Sequence, residues 1–121
     1  MHENQEYESA MQGFVEASLR GDTAARFLSS FVPFQRRLAW FGMINSLSQL
    51  VLRIGSPGVP DTYQGSELWN FSLVDPDNRQ PVDFARRRRL LHETHTAPIA
   101  QMLDDWTDGR VKLFTLTRAL T

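Results

Sequence analysis

No cysteine occurs in the 121 residues. That excludes disulfides, thiolate metal ligands and thiol nucleophiles together, and it fits a reducing compartment. Lysine is almost missing: Lys112 stands alone beside twelve arginines, which reads as the bias of a G+C-rich genome rather than as a function. An excess of either charge is missing too. A formal net charge of −1 supplies no global field to draw the chain onto nucleic acid or an anionic membrane. No long hydrophobic run is present. The longest mostly apolar stretch, Leu38 to Ile54, is broken by Gly42, Asn45, Ser46, Ser48, Gln49 and Arg53, too polar for a membrane span. No basic segment followed by an apolar one opens the chain, so no secretory signal is expected. What is present is ordinary for a globular chain: 41% hydrophobic and 22% charged residues, enough to bury a core.

Periodicity predicts a mainly α fold of five to six helices around one long irregular loop, with 1–121 as a single helical piece. Tyr7, Met11, Phe14, Val15 and Leu19 recur at spacings of three and four, an amphipathic helix over about 6–19. Gly21 is a stop. Phe27, Leu28 and Phe31 mark a short second helix. Pro33 suits the first turn of a third, where its missing N–H costs nothing. That third helix, 34–54, is apolar on most sides and is expected to be buried; Phe31, Phe34 and Phe41 read as core. Its short polar residues, Asn45, Ser46, Ser48 and Gln49, need partners if buried.

At Gly55 the texture changes. Two prolines and two glycines within 55–60 end the helix, and no helical period returns before Asp83. Val59 to Tyr63 fits a very short strand. A coil this long is uncommon in a compact domain unless it is functional or disordered. Tyr63, Leu68, Trp69, Phe71, Leu73 and Val74 give it too much apolar surface for a disordered linker. Asp83 is placed to cap a helix from Phe84, Pro98 to open one over 99–106, and Asp108-Gly109 to turn the chain into a last helix over 111–120. Segment 84–121 is thus a set of C-terminal helices. The chain ends at Thr121 without a capping signal, which reads as a cut.

The loop carries a specific string: Ser56-Pro57-Gly58-Val59-Pro60-Asp61, Tyr63-Gln64-Gly65, Glu67-Leu68-Trp69, then Ser72-Leu73-Val74-Asp75-Pro76-Asp77-Asn78-Arg79 and Pro81-Val82-Asp83. Its Pro-Gly-x-Pro-x-x-Tyr-x-Gly-x-Glu core resembles the eighth strand and following loop of the α-amylase superfamily barrel. The fuller string is similar to the maltooligosyltrehalose synthase family within it. The resemblance extends upstream through Gly42 to Gln49 and downstream to Asp108–Leu113, and is weakest over the first thirty residues.

The resemblance implies a parent (β/α)₈ barrel with helical insertions. In it, 55–83 supplies the strand-8-like segment and a sugar-site loop at the carboxyl face of the barrel. It implies a cytoplasmic enzyme of trehalose formation that acts on maltooligosaccharides without a cofactor or metal. The superfamily works as retaining glycosidases do, through carboxylates. Those carboxylates match no position here, so no catalytic residue is assigned and the chain alone is expected to be inactive.

Substrate contacts are expected at Tyr63, Gln64, Glu67, Trp69, Asp75, Asp77, Asn78 and Arg79. Sugars offer hydroxyls to carboxylates, amides and guanidinium, and C–H faces to aromatic rings. Each residue keeps a plainer reading. Glu67 fits a structural ion pair, Tyr63 and Trp69 fit a core, and 75–79 fits a self-bonded turn. Calcium at Asp75 and Asp77 lacks the ligand count of an EF-hand. His92 and His95 share a metal-like spacing without a third ligand, and Arg86–Arg89, which turns over all faces of its helix, reads as a solvated helix with partners on Asp and Glu. Two rival functions stay open: a non-catalytic maltooligosaccharide-binding module, and a structural helical domain. Cut from a barrel, the chain is expected to expose apolar faces and to form a dimer or higher assembly.

Overall fold

A computed structural model describes residues 4–22, 24–72 and 80–121. The architecture is mainly helical, as the periodicity predicts, with no strand among the described residues. Five α-helices are described: α1 Gln5–Arg20, α2 Ala24–Gly55, α3 Phe84–Thr94, α4 Ile99–Asp104 and α5 Arg110–Leu120, with a 3₁₀ turn at Trp106–Asp108 between the last two. The chain divides into two compact units, Met1–Ile44 and Asn45–Thr121, rather than forming one.

In the first unit, Asn4 caps α1 by accepting the Tyr7 N–H on its side-chain oxygen at 3.1 Å. Glu6 and Glu8 in the first turn and Arg20 in the last complement the helix dipole. No residue of α1 is buried.

The expected break before Pro33 does not occur; α2 runs through it. The reason lies in the phase of the apolar residues. Phe27, Phe31, Phe34, Leu38 and Phe41 follow spacings of four, three, four and three, so the segments on either side of the proline share one helical stripe. The proline still removes one hydrogen bond of the ladder. One turn earlier, the Ser29 and Ser30 hydroxyls donate back to the Arg26 and Phe27 carbonyls at 2.9 and 3.0 Å. Phe27 and Phe31 stack at 5.0 Å between centroids.

The expectation of a buried 34–54 helix fails as well, and Phe31, Phe34 and Phe41 are not core: the stripe residues are exposed. Met43 and Leu50 are the buried side chains of this stretch. Two helices share at most one interface, and a helix apolar on several sides needs more layers than that.

The second unit is built differently. Leu68 of the loop, Leu90 of α3 and Leu113 of α5 form its core, with Leu91 packed against it. Met102 of α4 is fully buried and Val111 nearly so. Asp83 caps α3, its Oδ1 accepting the Arg86 N–H at 2.8 Å. Gly109 takes the left-handed conformation (φ 89°) that ends the 3₁₀ turn and opens α5. A Cβ there would meet Leu68 Cβ at 3.2 Å, so the glycine also permits the close approach of loop and helix.

Val59 to Tyr63 forms no strand, and Val59 is fully exposed. A strand needs a neighbour to receive its hydrogen bonds, and none is described. Arg53 holds this coil instead, donating to the Asp61 carbonyl at 3.0 Å and to Thr62 Oγ1 at 3.3 Å.

Candidate functional site

The loop turns at Tyr63-Gln64-Gly65-Ser66. The Ser66 N–H reaches the Tyr63 carbonyl at 3.2 Å and its hydroxyl reaches the same oxygen at 2.6 Å. Gly65 has φ 90°, a conformation that side chains disfavour. A Cβ there would also press on Val82 at 3.2 Å.

Arg87 fixes this turn to α3. Its Nε donates to Glu67 Oε2 at 2.9 Å, one terminal nitrogen to the Gly65 carbonyl at 2.7 Å, and the other to the Asp83 carbonyl at 3.0 Å. A guanidinium suits this role because its donors form a rigid planar fork. The partners come from the loop and from the cap of α3, so one side chain sets the position of both.

After the turn the chain plunges inward. Leu68 enters the core. Trp69 is half-buried, donates its indole N–H to the Trp106 carbonyl at 2.6 Å, and meets the Trp106 ring edge-on at 6.2 Å. Lys112 of α5 donates to the Leu68 carbonyl at 3.1 Å and lies 5.6 Å from the Trp69 ring centre. Burial holds the Lys112 ammonium below its usual range, and the charge of Arg53 pushes it further down, against an opposing pull from Glu67.

Beside the turn lies an open cleft of about 400 Å³, lined among others by Gln64, Trp69, Asn70, Gln80, Asp83 and Arg87. Its volume falls in the range of small-molecule sites. The cleft offers amide groups, a carboxylate and a guanidinium. The indole and the exposed ring of Phe71 supply apolar surface. That mixture suits a neutral polyhydroxylated ligand better than an apolar or strongly charged one.

Of the expected contact residues, Gln64 and Trp69 line this cleft. Tyr63 is exposed and is not among its lining residues. Glu67 makes the ion pair with Arg87, the structural arrangement its plainer reading allowed. Asp75, Asp77, Asn78 and Arg79 lie outside the described residues.

Two residues escaped the sequence reading. The run Arg86–Arg89 does find acidic partners, Glu67 for Arg87 and Glu93 for Arg89, but nothing in that reading distinguishes Arg87 from its neighbours. Yet Leu90 and Leu91 lie three and four positions after it, so it shares their apolar side of the helix, and that spacing is the signal that singles it out. Lys112 had no comparable signal beyond being the lone lysine.

A second ionic cluster, around Arg110, is structural. Its Nε donates to Asp108 Oδ2 at 2.6 Å, and its terminal nitrogens lie 3.2 Å from Asp105 and 3.6 Å from Glu93. The hydrogen bond to Asp108 leads in raising the Arg110 pKa, against burial, with the charges of Asp108, Glu93 and Asp105 adding to it. The cluster joins α3 to the 3₁₀ turn and α5. No group of three or more metal-ligating side chains is found among the described residues, and no described helix is long and apolar enough to cross a membrane.

No family model matches the chain. Two curated relatives, from strains CDC 1551 and H37Rv of Mycobacterium tuberculosis, do match. Each is named as a maltooligosyl trehalose synthase and is 41% identical over 88 residues, covering 73% of this chain and 11% of the relative. A crystal structure of maltooligosyl trehalose synthase superposes with a TM-score of 0.86 and 38% identity, over 98% of this chain and 16% of that one. The chain therefore spans about a tenth of the length of the curated relatives it matches.

Proposed function

The chain is a relative of one segment of maltooligosyl trehalose synthase, and from that premise we propose that it is the sugar-site segment of such an enzyme. The parent enzyme is an α-amylase-superfamily barrel of the cytoplasm. It rearranges the reducing-end α-1,4 linkage of a maltodextrin to α,α-1,1 by intramolecular transglycosylation, giving a trehalosyl end. The observation that carries this reading is the superposition over 98% of the chain, which extends the likeness beyond the 88 aligned residues.

In this reading the chain binds and orients sugar but does not break the glycosidic bond. Retaining glycosidases use one carboxylate as nucleophile and another as acid/base, about 5 Å apart. Glu67 is committed to an ion pair with Arg87, which suits a positioning role rather than a nucleophile's. Gln64 and Trp69 line the cleft as one amide and one ring. The parent's loop would also help to exclude water from the glycosyl-enzyme intermediate. Asp75, Asp77, Asn78 and Arg79 are proposed as hydroxyl contacts on the resemblance alone.

The purified chain is expected to release no trehalosyl-ended product from maltopentaose, followed by chromatography. Such a product would overturn the assignment of catalysis elsewhere. Binding without turnover is the expected behaviour: addition of maltopentaose should shift the Gln64 side-chain amide resonances while those of α1 stay in place.

A structural role gains support from one feature, the exposed stripe Phe27, Phe31, Phe34, Leu38 and Phe41. Contiguous apolar surface of this kind drives association. We propose that the isolated chain dimerises or assembles further through it. A mass that stays monomeric across a hundredfold concentration range in sedimentation would contradict this.

A further inference from the structure

The last turns of α2, the Gly65 turn and the start of α5 enclose a second cleft of about 180 Å³, lined by Ser46, Gln49, Leu50, Arg53, Ser66 and Lys112. All six belong to the unit that begins at Asn45. A water molecule takes about 30 Å³ of liquid volume, so the space admits a small polyatomic ion.

Two of the lining side chains are cations, and neither is paired with a carboxylate among the described residues. Arg53 donates to a backbone carbonyl and to a threonine hydroxyl. An arginine has five N–H donors, so donors remain. Lys112 donates to the Leu68 carbonyl and likewise retains N–H groups. The acid closest in influence, Glu67, is already engaged by Arg87.

The charges of Arg53 and Lys112 work against each other: Arg53 is the second cause, after burial, that disfavours the ammonium of Lys112. A like charge lining the same cleft as the half-buried Lys112 disfavours its ammonium, and an anion in the cleft would reverse the sign of that interaction. A neutral maltooligosaccharide cannot do this, so the cleft differs in ligand chemistry from the one beside Gln64.

We propose that this cleft binds a small oxyanion, with Arg53 and Lys112 as the charged donors and Ser46 and Gln49 as neutral ones. The shared chemistry is a compact group of negatively charged acceptor oxygens, as in a phosphate or a carboxylate. Lys112 meets it as a point charge and Arg53 as a fork. The site does not depend on the sugar reading, and its failure would leave that reading untouched.

Because Lys112 is the sole lysine, reductive ¹³C-methylation of the full chain labels Lys112 and the α-amino group, with both charges retained. Inorganic phosphate and, in a separate arm, acetate are titrated at constant ionic strength. The Lys112 resonance is expected to shift to saturation and its apparent pKa to rise, while the α-amino resonance shows no saturation. Arg53→Gln should weaken that binding by about tenfold, the loss of one charge-assisted contact. Gln49→Ala, which leaves the Arg53 anchor of the coil intact, should weaken it less. Far-UV circular dichroism checks that both variants keep their helices. Saturation by phosphate alone assigns a phosphate-type ligand, and saturation by acetate as well extends the site to carboxylates. If neither anion saturates Lys112, or if both variants bind as the parent does, the proposal is overturned.

Discussion

From Phe27 to Phe41 every third or fourth residue is large and apolar, yet all five remain between 42% and 56% exposed. Leu68, Leu90 and Leu113 come from three separate segments, and each is at most 7% exposed. The first unit thus has the stronger apolar pattern and the second has the core. A stripe on one helix creates the need for burial without meeting it. In the second unit, polar side chains bring distant segments together. Arg87 ties the Gly65 turn to α3, Lys112 ties Leu68 to α5, and Arg110 joins Glu93 of α3 to the residues before α5. Burial of the leucines accompanies these ties.

Substitutions in the core and at the polar ties of the second unit should therefore cost more than substitutions in the exposed stripe of the first, whatever the residue's hydrophobicity. Leu68→Ala should cost the most, about 3 kcal/mol, since it leaves a cavity among Leu90 and Leu113. Urea denaturation in a Trp40→Phe background, which leaves Trp69 and Trp106 as the emitting residues, reads this directly. Arg87→Met should cost about 2 kcal/mol, because it strips donors from two carbonyls and leaves Glu67 half-buried without its partner. Its effect on the cleft is the sharper test: the Gln64 amide resonances should broaden as the turn loses its anchor. Gly65→Ala should cost about 1 kcal/mol from its positive φ and the contact with Val82.

Lys112 gives a pH-dependent contrast. Its pKa lies below the ordinary 10.5 in the folded chain and returns to that value on unfolding. Between the two values the unfolded chain binds more protons, so stability rises with pH across that window. Lys112→Met should remove the rise, as seen in thermal melts at stepped alkaline pH. In the first unit, Leu38→Gln should change monomer stability by less than about 0.5 kcal/mol, because the side chain is already half exposed. The same change should weaken self-association. A large loss of stability from Leu38→Gln, or a negligible one from Leu68→Ala, would break the contrast between the units.

Local signals were legible in the residues. Asp83 as a cap, Gly109 as a turn and the helical period of 111–120 all depend on neighbours within four positions, and the structure has each of them. Pro33 taken alone predicts a break, but the phase of the stripe on both sides of it outweighs a single proline. Burial of 34–54 does not follow from its pattern either, since periodicity states which face is apolar and not whether anything covers it. The candidate site was legible as a segment but not as contacts. Trp69 finds Trp106, and Glu67 finds Arg87, across separations that no local pattern specifies.

The central claim is that the cleft beside the Gly65 turn binds an α-1,4-linked glucan. Calorimetric titration of the chain with maltopentaose, against cellopentaose as the β-linked control, tests it most directly. The account predicts saturable binding of maltopentaose only, weakened several-fold by Gln64→Ala, whose exposed side chain lines the cleft without supporting the fold. Equal heats for the two sugars, no saturation with either, or an unchanged affinity in Gln64→Ala would contradict it.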